Sequence, residues 1–304
     1  MAVSDVYKRQ GEEKARPVER RYYSDGRKQN PECMVMTLYA SATNCNKGLQ
    51  DQVDRTCYLA ALNGFTLKIG GGNQGLMKAG ADAFLRGKAE LRAKGYAFPN
   101  QLIPVQCADT EAIELPYRPD GIEGIEEEDW IYRCHPHIES RKLDLHTNDV
   151  PVAAAGGSGS DEEILSELLA RCDGLIDPSA HPFMFFNQQM ESPEGVVGVY
   201  DPYRRIFSEE FLRQMNVRWA TSPEAVIDHA YTHRLHREAG KEQAVPLSSL
   251  RQVLADAAAG GNGEGAVSIR QFLPPYRLFL GREGELDVYK RQIRLQSVSA
   301  FRPP

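Results

Sequence analysis

The chain has 304 residues, a formal net charge of -6, 41% hydrophobic residues and 26% charged residues. A chain of this length and hydrophobic content can bury a core, which excludes wholesale disorder. The acidic balance and the lack of a lysine and arginine cluster argue against a dedicated nucleic-acid binder.

The distribution of apolar residues and cysteines predicts a cytoplasmic protein. Every apolar run falls far short of the roughly 20 residues that cross a bilayer, so we expect no membrane span. The first thirty residues are polar and lack the apolar run of a secretory signal. Six scattered cysteines without a CxxC pair are typical of reduced thiols rather than of a disulfide scaffold.

Both ends of the chain carry the hexapeptide DVYKRQ, at residues 5–10 and again at 287–292. It resembles the in-frame translation of a sequencing-adapter end, so we interpret residues 1–10 and 287–304 as foreign to the fold. A duplicated surface segment is the alternative. The charged residues up to position 32 complete a disordered lead-in.

Strand-like and helix-like segments alternate from residue 33 onwards. Gly64 ends the first helix, and Pro104 places the third strand at a sheet edge or a strand end. Pro136 is expected to kink or break the third helix. The predicted strands are residues 33–39, 65–69 and 102–105, and the predicted helices are residues 48–63, 76–86 and 130–146.

The same alternation continues in the second half of the chain. The predicted strands are residues 150–155 and 183–186, and the predicted helices are residues 160–172, 209–216 and one from the N-cap Ser222 to His233. This order predicts an α/β fold: a Rossmann-like, doubly wound parallel sheet in a three-layer α/β/α arrangement. We place the domain at residues 33–236, followed by an uncertain C-terminal extension at 237–286.

Two glycine loops follow predicted strands, at the sheet edge where open parallel sheets bind ligands. The first is GGGNQGLM at residues 70–77, and the second is GGSGS at 156–160. Neither is a P-loop or a GxGxxG fingerprint, and a tight turn is the alternative for each. The two loops together, with Arg141-Lys142 between them, favour an anion site.

The segments GGGNQGLMKAG, ESRK at residues 139–142 and AGGSGSDEE occur in this order. Over residues 34–233 the chain resembles the Lonely Guy (LOG) family of cytokinin riboside 5'-monophosphate phosphoribohydrolases, which carries GGGxxGLMG, an RK pair and PGGxGTxxE. Ala155, Ser160 and Lys78 depart from these motifs and indicate a divergent member. The resemblance implies a homodimer that needs no metal or redox cofactor.

The resemblance implies hydrolysis of the N-glycosidic bond of a nucleoside 5'-monophosphate, such as a cytokinin riboside monophosphate or AMP, to free base and ribose 5-phosphate. Glu163 would stabilise the oxocarbenium-like transition state or activate water, and Arg141 would orient it. The helix N-terminus and Arg141 are expected to favour its ionised form. The implied substrate- and phosphate-binding residues are Lys142, Gly156, Gly157, Ser158, Gly159, Ser160, Glu162, Gly71 and Gly72.

A non-catalytic nucleotide or molybdenum-cofactor carrier of the same fold is the alternative, because it would use the same loops. A carrier needs the phosphate loop but not a carboxylate beside it, so Arg141 and Glu163 together favour the enzyme. The histidines at 229, 233 and 236 lack a fourth ligand, so we expect no metal.

Overall fold

The computed structural model describes residues 33–42, 46–96, 98–108 and 114–239. Its strands are β1 (Val35–Tyr39), β2 (Thr66–Gly70), β3 (Leu102–Cys107), β4 (Arg133–His135), β5 (Val150–Ala153), β6 (Phe183–Phe186), β7 (Gln189–Ser192), β8 (Gly195–Gly198) and β9 (Val217–Ala220). In this part of the chain seven of them form one parallel sheet in the order β4-β3-β2-β1-β5-β6-β9. Strands β7 and β8 form a separate antiparallel hairpin.

Helices connect the strands. They are α1 (Lys47–Leu62), α2 (Gly75–Ala93), α3 (Ile138–His146), α4 (Ser158–Cys172), α5 (Asp201–Ile206), α6 (Glu209–Gln214) and α7 (Pro223–Ala239), with a 3-10 turn at Glu127–Asp129. None of the helices in the described ranges is long and apolar enough to cross a membrane.

The sheet has a hydrophobic core on each face, which confirms the predicted doubly wound α/β fold. Strands β1, β2, β3, β5 and β6 are buried along their whole length, so they are nearly continuous apolar runs. Neighbouring residues of a strand pack on opposite faces of the sheet. Leu38 packs with residues of α1, α2 and α7, whereas Tyr39 packs with residues of α3, α4 and α6. The two cores hold the loops at the strand ends in fixed positions.

The direction in which the chain adds strands reverses at β1. Strand β2 pairs with one side of β1, and β5 pairs with the other side. In open α/β sheets a crevice forms at the carboxyl ends of the two strands that flank such a reversal. Here that crevice lies between Ser41, which follows β1, and the second glycine loop, which follows β5.

The prediction that Pro104 lies at a sheet edge or strand end is wrong. Pro104 sits inside β3, which has neighbours on both sides. Leu102 accepts a bond from Ile131 on the β4 side. The backbone of Pro104 faces the same side and lies between the Leu102–Trp130 bridge and the first β3–β4 pair, Val105–Arg133. Its missing N–H therefore coincides with a break in the ladder on that side.

The predicted helix over residues 130–146, kinked or broken at Pro136, is confirmed after the proline and wrong before it. Residues 133–135 form strand β4, and the helix begins only after Pro136, at Ile138. Proline disfavours the helical conformation for the residue before it, which here is the last residue of β4. The apolar pattern of the sequence does not reveal this strand, because Arg133 and His135 are polar and pair with the Asp144 carboxylate.

Most of the other predicted elements are confirmed, with shifted ends. Gly64 follows the last turn of α1 with φ of 70°, and the Ser222 hydroxyl accepts from the Ala225 amide at the start of α7. The sequence missed the β7–β8 hairpin, α5 and β9. The terminal hexapeptides, the lead-in and most of the C-terminal extension lie outside the described residues.

Candidate functional site

The N-terminus of α4 lies open at the end of the second glycine loop. Gly157 is the N-cap residue, so among the described residues no side chain caps this 15-residue helix. The amides of Ser158, Gly159 and Ser160 are its first turn and have no partner within the helix. A Cβ added at Gly159 would meet nothing within 4 Å. These amides are free to bind an anion, with the helix dipole behind them.

The loop owes its shape to the missing side chain at Gly156. A Cβ at this position would lie 2.1 Å from the Cβ of Ser160. Ser160 is therefore folded back over Gly156 and is 4% exposed. Sequence analysis predicted that Gly156, Gly157 and Ser160 bind phosphate. The structure brings them together in one turn, and their contact with phosphate stays a prediction.

Arg141 and Glu163 form an ion pair at the same edge of the sheet. The Arg141 Nη1 atom donates to the Glu163 Oε1 atom at 2.8 Å, and Arg141 Nε donates to the carbonyl of Val105 at 3.1 Å. Their side chains are only 12% and 10% exposed. Glu163 follows the open helix end by little more than one turn, so the pair lies close to these free amides.

Burial raises the pKa of Glu163, and the charge and hydrogen bond of Arg141 lower it only in part. The net direction is opposite to the predicted one, because burial of the carboxyl outweighs the arginine. A carboxyl with a raised pKa can take up and release a proton nearer to neutral pH. Glu163 is thus better suited to general-base chemistry than a fully exposed helix-start glutamate.

Helix α3, which carries Arg141, is fastened to the sheet by a buried lysine. Lys68 of β2 is 1% exposed. Its Nζ atom donates to the carbonyls of Asp144 and Thr147 at 2.8 and 2.7 Å and to Asp144 Oδ1 at 2.8 Å. Arg133 and His135 bind the same carboxylate at 2.9 Å each. Burial raises the pKa of Asp144, but these partners lower it overall.

The backbone polar groups of the first glycine loop are hydrogen-bonded to other parts of the protein. The Gly71 amide donates to Val105 at 2.8 Å, and the Gly71 carbonyl accepts from Tyr117 at 2.7 Å. The Ser41 carbonyl accepts from the amides of Leu76 and Met77 in the first turn of α2. That helix end is therefore closed by backbone. The binding of phosphate by Gly71 and Gly72 stays a prediction, with the tight turn as the better supported role.

Lys142 and Glu162 pair with each other beside the Arg141–Glu163 pair. The side chain of Glu162 is 64% exposed and that of Lys142 is 21% exposed. Both keep donors or acceptors toward solvent, because the pair is at the surface. Their proposed contacts with phosphate and ribose stay predictions.

Sequence analysis missed the residues that brace the second glycine loop from the far side. Gln188 is fully buried and accepts from the Ala155 amide. The Tyr200 hydroxyl donates to the Ala154 carbonyl, and the Tyr203 hydroxyl donates to Asp161 Oδ1 at 2.8 Å. The polar pair Asn187-Gln188 directly after an apolar strand was the signal that could have indicated Gln188.

A cavity of about 620 Å³ lies elsewhere, against the residues that precede β3, and includes Lys88, Arg92, Tyr96 and Asp129. Arg92 already binds Asp129 through two bonds of 2.7 and 2.9 Å. This cavity is at the opposite edge of the sheet from the glycine loops. Within the described residues no group of three or more His, Cys, Asp and Glu side chains could hold a metal ion.

Comparison with known proteins gives similarity only among solved structures. No family model and no curated protein matches the chain. A molybdenum cofactor binding protein from the phototrophic bacterium Rippkaea orientalis is 15% identical, covering 67% of this chain and 98% of its own, with a TM-score of 0.44.

Two further solved structures show similarity of the same extent. The molybdenum cofactor carrier protein of Chlamydomonas reinhardtii is 14% identical, covering 66% and 98%, with a TM-score of 0.41. The structural-genomics target TM1055 is 16% identical, covering 66% and 99%, with a TM-score of 0.41. Similarity this distant does not say what the chain binds.

Proposed function

We propose that the protein hydrolyses the N-glycosidic bond of a nucleoside 5'-monophosphate, giving free base and ribose 5-phosphate. The observation that carries the proposal is a buried carboxylate, Glu163, held by Arg141 about one turn from an open helix N-terminus. A protein that only binds phosphate gains nothing from a negative charge at this place. A reaction with a positively charged transition state does.

The helix end would hold the 5'-phosphate on the amides of Ser158, Gly159 and Ser160. Glu163 would then take a proton from a water molecule, and the oxygen of that water would attack the anomeric carbon. The bond from this carbon to the base breaks, and its electron pair leaves with the base, which takes a proton from solvent. Arg141 keeps the carboxylate in place through two fixed bonds, one to Glu163 and one to Val105.

The order of the motifs supports the same proposal, since GGGNQGLM, Arg141-Lys142 and AGGSGSDEE resemble the LOG motifs along the chain. At the departure Ser160, Ser retains the hydroxyl group that the Thr of the motif carries. We therefore propose a nucleoside monophosphate as substrate without naming its base.

The test is to incubate the full chain with AMP, isopentenyladenosine monophosphate and adenosine, and to measure released base by chromatography. We expect base from a monophosphate, little from adenosine, and a loss of roughly 100- to 10,000-fold in Glu163→Gln. Glu209→Gln is the matched control, because Glu209 is an exposed glutamate in the first turn of α6.

Tight binding of the monophosphate without any release of base would overturn the enzyme and favour the nucleotide or molybdenum-cofactor carrier. Equal losses in Glu163→Gln and Glu209→Gln would overturn the role of Glu163.

A further inference from the structure

A second carboxylate lies at the same end of the sheet as Glu163, beside the first glycine loop. It belongs to Glu114, which is half-buried. The Glu114 Oε2 atom accepts from the Gln106 Nε2 atom at 3.3 Å. The reaction proposed above does not use this side chain.

The glycines of the first loop make room for two charged side chains. A Cβ at Gly70 would lie 3.3 Å from the Arg141 Nη2 atom, and a Cβ at Gly72 would lie 3.0 Å from the Glu114 Oε2 atom. Arg141 and Glu114 therefore lie against the same short stretch of backbone, two residues apart. The Glu114 carboxylate is thus a neighbour of the Arg141–Glu163 pair.

Gln106 fixes the direction of the Glu114 side chain. Gln106 is 1% exposed and lies near the end of β3. Its Oε1 atom accepts from the Cys107 amide at 3.1 Å, which leaves Nε2 as the donor directed at Glu114. A carboxylate has acceptor positions on both oxygens, so Glu114 can accept a further bond from a ligand.

Asn73 brings another acceptor to this part of the loop. Its amide donates to the Leu115 carbonyl at 2.8 Å, so Asn73 adjoins the segment that carries Glu114. The Asn73 Oδ1 atom is buried and has no hydrogen-bond partner among the described residues. Buried polar atoms are nearly always paired, so this one calls for a donor, which a ligand can bring.

The spacing of the strands puts these acceptors at the base end of a bound nucleotide. The open end of α4 follows β5, and Gly72 follows β2, with β1 between the two strands. Two strand spacings amount to about 10 Å. A nucleoside monophosphate with its phosphate on α4 and its ribose at Glu163 would extend its base toward Glu114.

We propose that Glu114 is a specificity-determining residue that accepts a hydrogen bond from an amino group on the base. The inference rests on the proposed function, from which it takes the position of the phosphate. A base with a keto oxygen at that place is disfavoured, because two acceptors then face each other without a proton between them. The substrates are therefore nucleotides of amino-substituted bases.

The test compares AMP with purine riboside 5'-monophosphate, which lacks only the amino group, and with IMP, which has a keto oxygen in its place. Calorimetry gives the Kd of each nucleotide for the full chain, and chromatography gives kcat/KM for base release. We expect the wild type to prefer AMP over both by about 10- to 100-fold, the usual effect of one hydrogen bond to a charged group.

The variants examine the contact itself. In Glu114→Met the preference for AMP should fall to near one, whereas Glu114→Gln, whose amide oxygen still accepts, should keep part of it. Glu209→Met, at an exposed glutamate on α6, should leave the preference unchanged. A loss of stability weakens the binding of all three nucleotides alike, so the ratio of their affinities reports the contact.

Equal wild-type affinity for the three nucleotides, or a full preference for AMP in Glu114→Met, would overturn the proposal. If Glu114→Met does not fold, Glu114→Gln decides, and an undiminished preference there counts against Glu114. A wild type that prefers AMP in binding but releases no base overturns the proposed function alone. A wild type that binds none of the three overturns both.

Discussion

The side-chain carboxyl of Asp54, on α1, lies in surroundings that disfavour its ionised form. Its Oδ1 atom is buried and has no hydrogen-bond partner among the described residues. The nearest cation, Arg86 Nη2, lies 3.6 Å from Oδ2. Burial accordingly raises the pKa of Asp54 to about 6.

A folded-state pKa above the unfolded value means that the folded protein binds the extra proton. The contribution to stability is complete below about pH 4 and is lost as the pH rises through 6. Asp54→Asn should therefore raise the free energy of unfolding by about 1–2 kcal/mol at pH 7, after allowance for partial exposure, and by much less at pH 4.

Urea denaturation at the two pH values measures this difference. Glu209→Gln, at an exposed carboxylate on α6, serves as the control and should change little. Equal gains for Asp54→Asn at pH 4 and pH 7 would contradict the prediction.

At the scale of elements, α3 is tied to the sheet through Asp144, which pairs with Lys68 of β2 and Arg133 of β4. Removing the Lys68 ammonium would leave the buried Asp144 carboxylate with one partner fewer and the carbonyls of Asp144 and Thr147 without their donor. Breaking one partner out of a buried ion pair typically costs 3–5 kcal/mol. We expect Lys68→Met to destabilise the protein by about that amount, since both partners of the pair are buried.

Thermal unfolding and hydrogen exchange of the α3 amides check this. Lys94→Met should cost at most about 0.5 kcal/mol, because its pair with Glu90 is exposed. If Lys68→Met unfolds no more readily than Lys94→Met, α3 is held by its packing alone.

The elements that sequence patterns predicted are those whose burial is apolar. Strands β1, β2 and β6 are buried on both faces, so their runs of hydrophobic residues can be recognised in the sequence alone. Strand β4 was missed because Arg133 and His135 are polar and pair with Asp144, a partner nine or more residues away. A charged residue inside an apolar strand, as at Lys68, was the available sign of this network.

The candidate site divides in the same way. Glu163 and Arg141 are set by local motif positions, so sequence could indicate them. The direction of the Glu163 pKa and the bracing by Gln188 and Tyr203 depend on contacts between distant segments. Spacing along the chain carries no information about such contacts.

At the scale of the molecule, the outer face of α3 and α4 exposes hydrophobic side chains. On these two helices Leu143, Leu165 and Leu169 are 71%, 42% and 61% exposed, and Leu175, just after α4, is 79% exposed. Exposed apolar surface of this kind marks interaction sites. The homodimer implied by the family resemblance would be built most simply on this face.

Light scattering after gel filtration should therefore give twice the chain mass of 34.0 kDa. Leu169→Glu should shift the protein toward the single-chain mass, because it places a charge in the interface. Ile206→Glu, at an equally exposed site on α5, should not. A monomeric wild type, or a dimer that tolerates Leu169→Glu, contradicts this surface.

The Ser41 carbonyl has a consequence for ligand size. By accepting the first amides of α2, it occupies the donors that a second phosphate would need. The crevice at the reversal of the sheet then offers one helix end rather than two. A ligand that carries two separate phosphates would therefore find free helix amides in this crevice for only one of them.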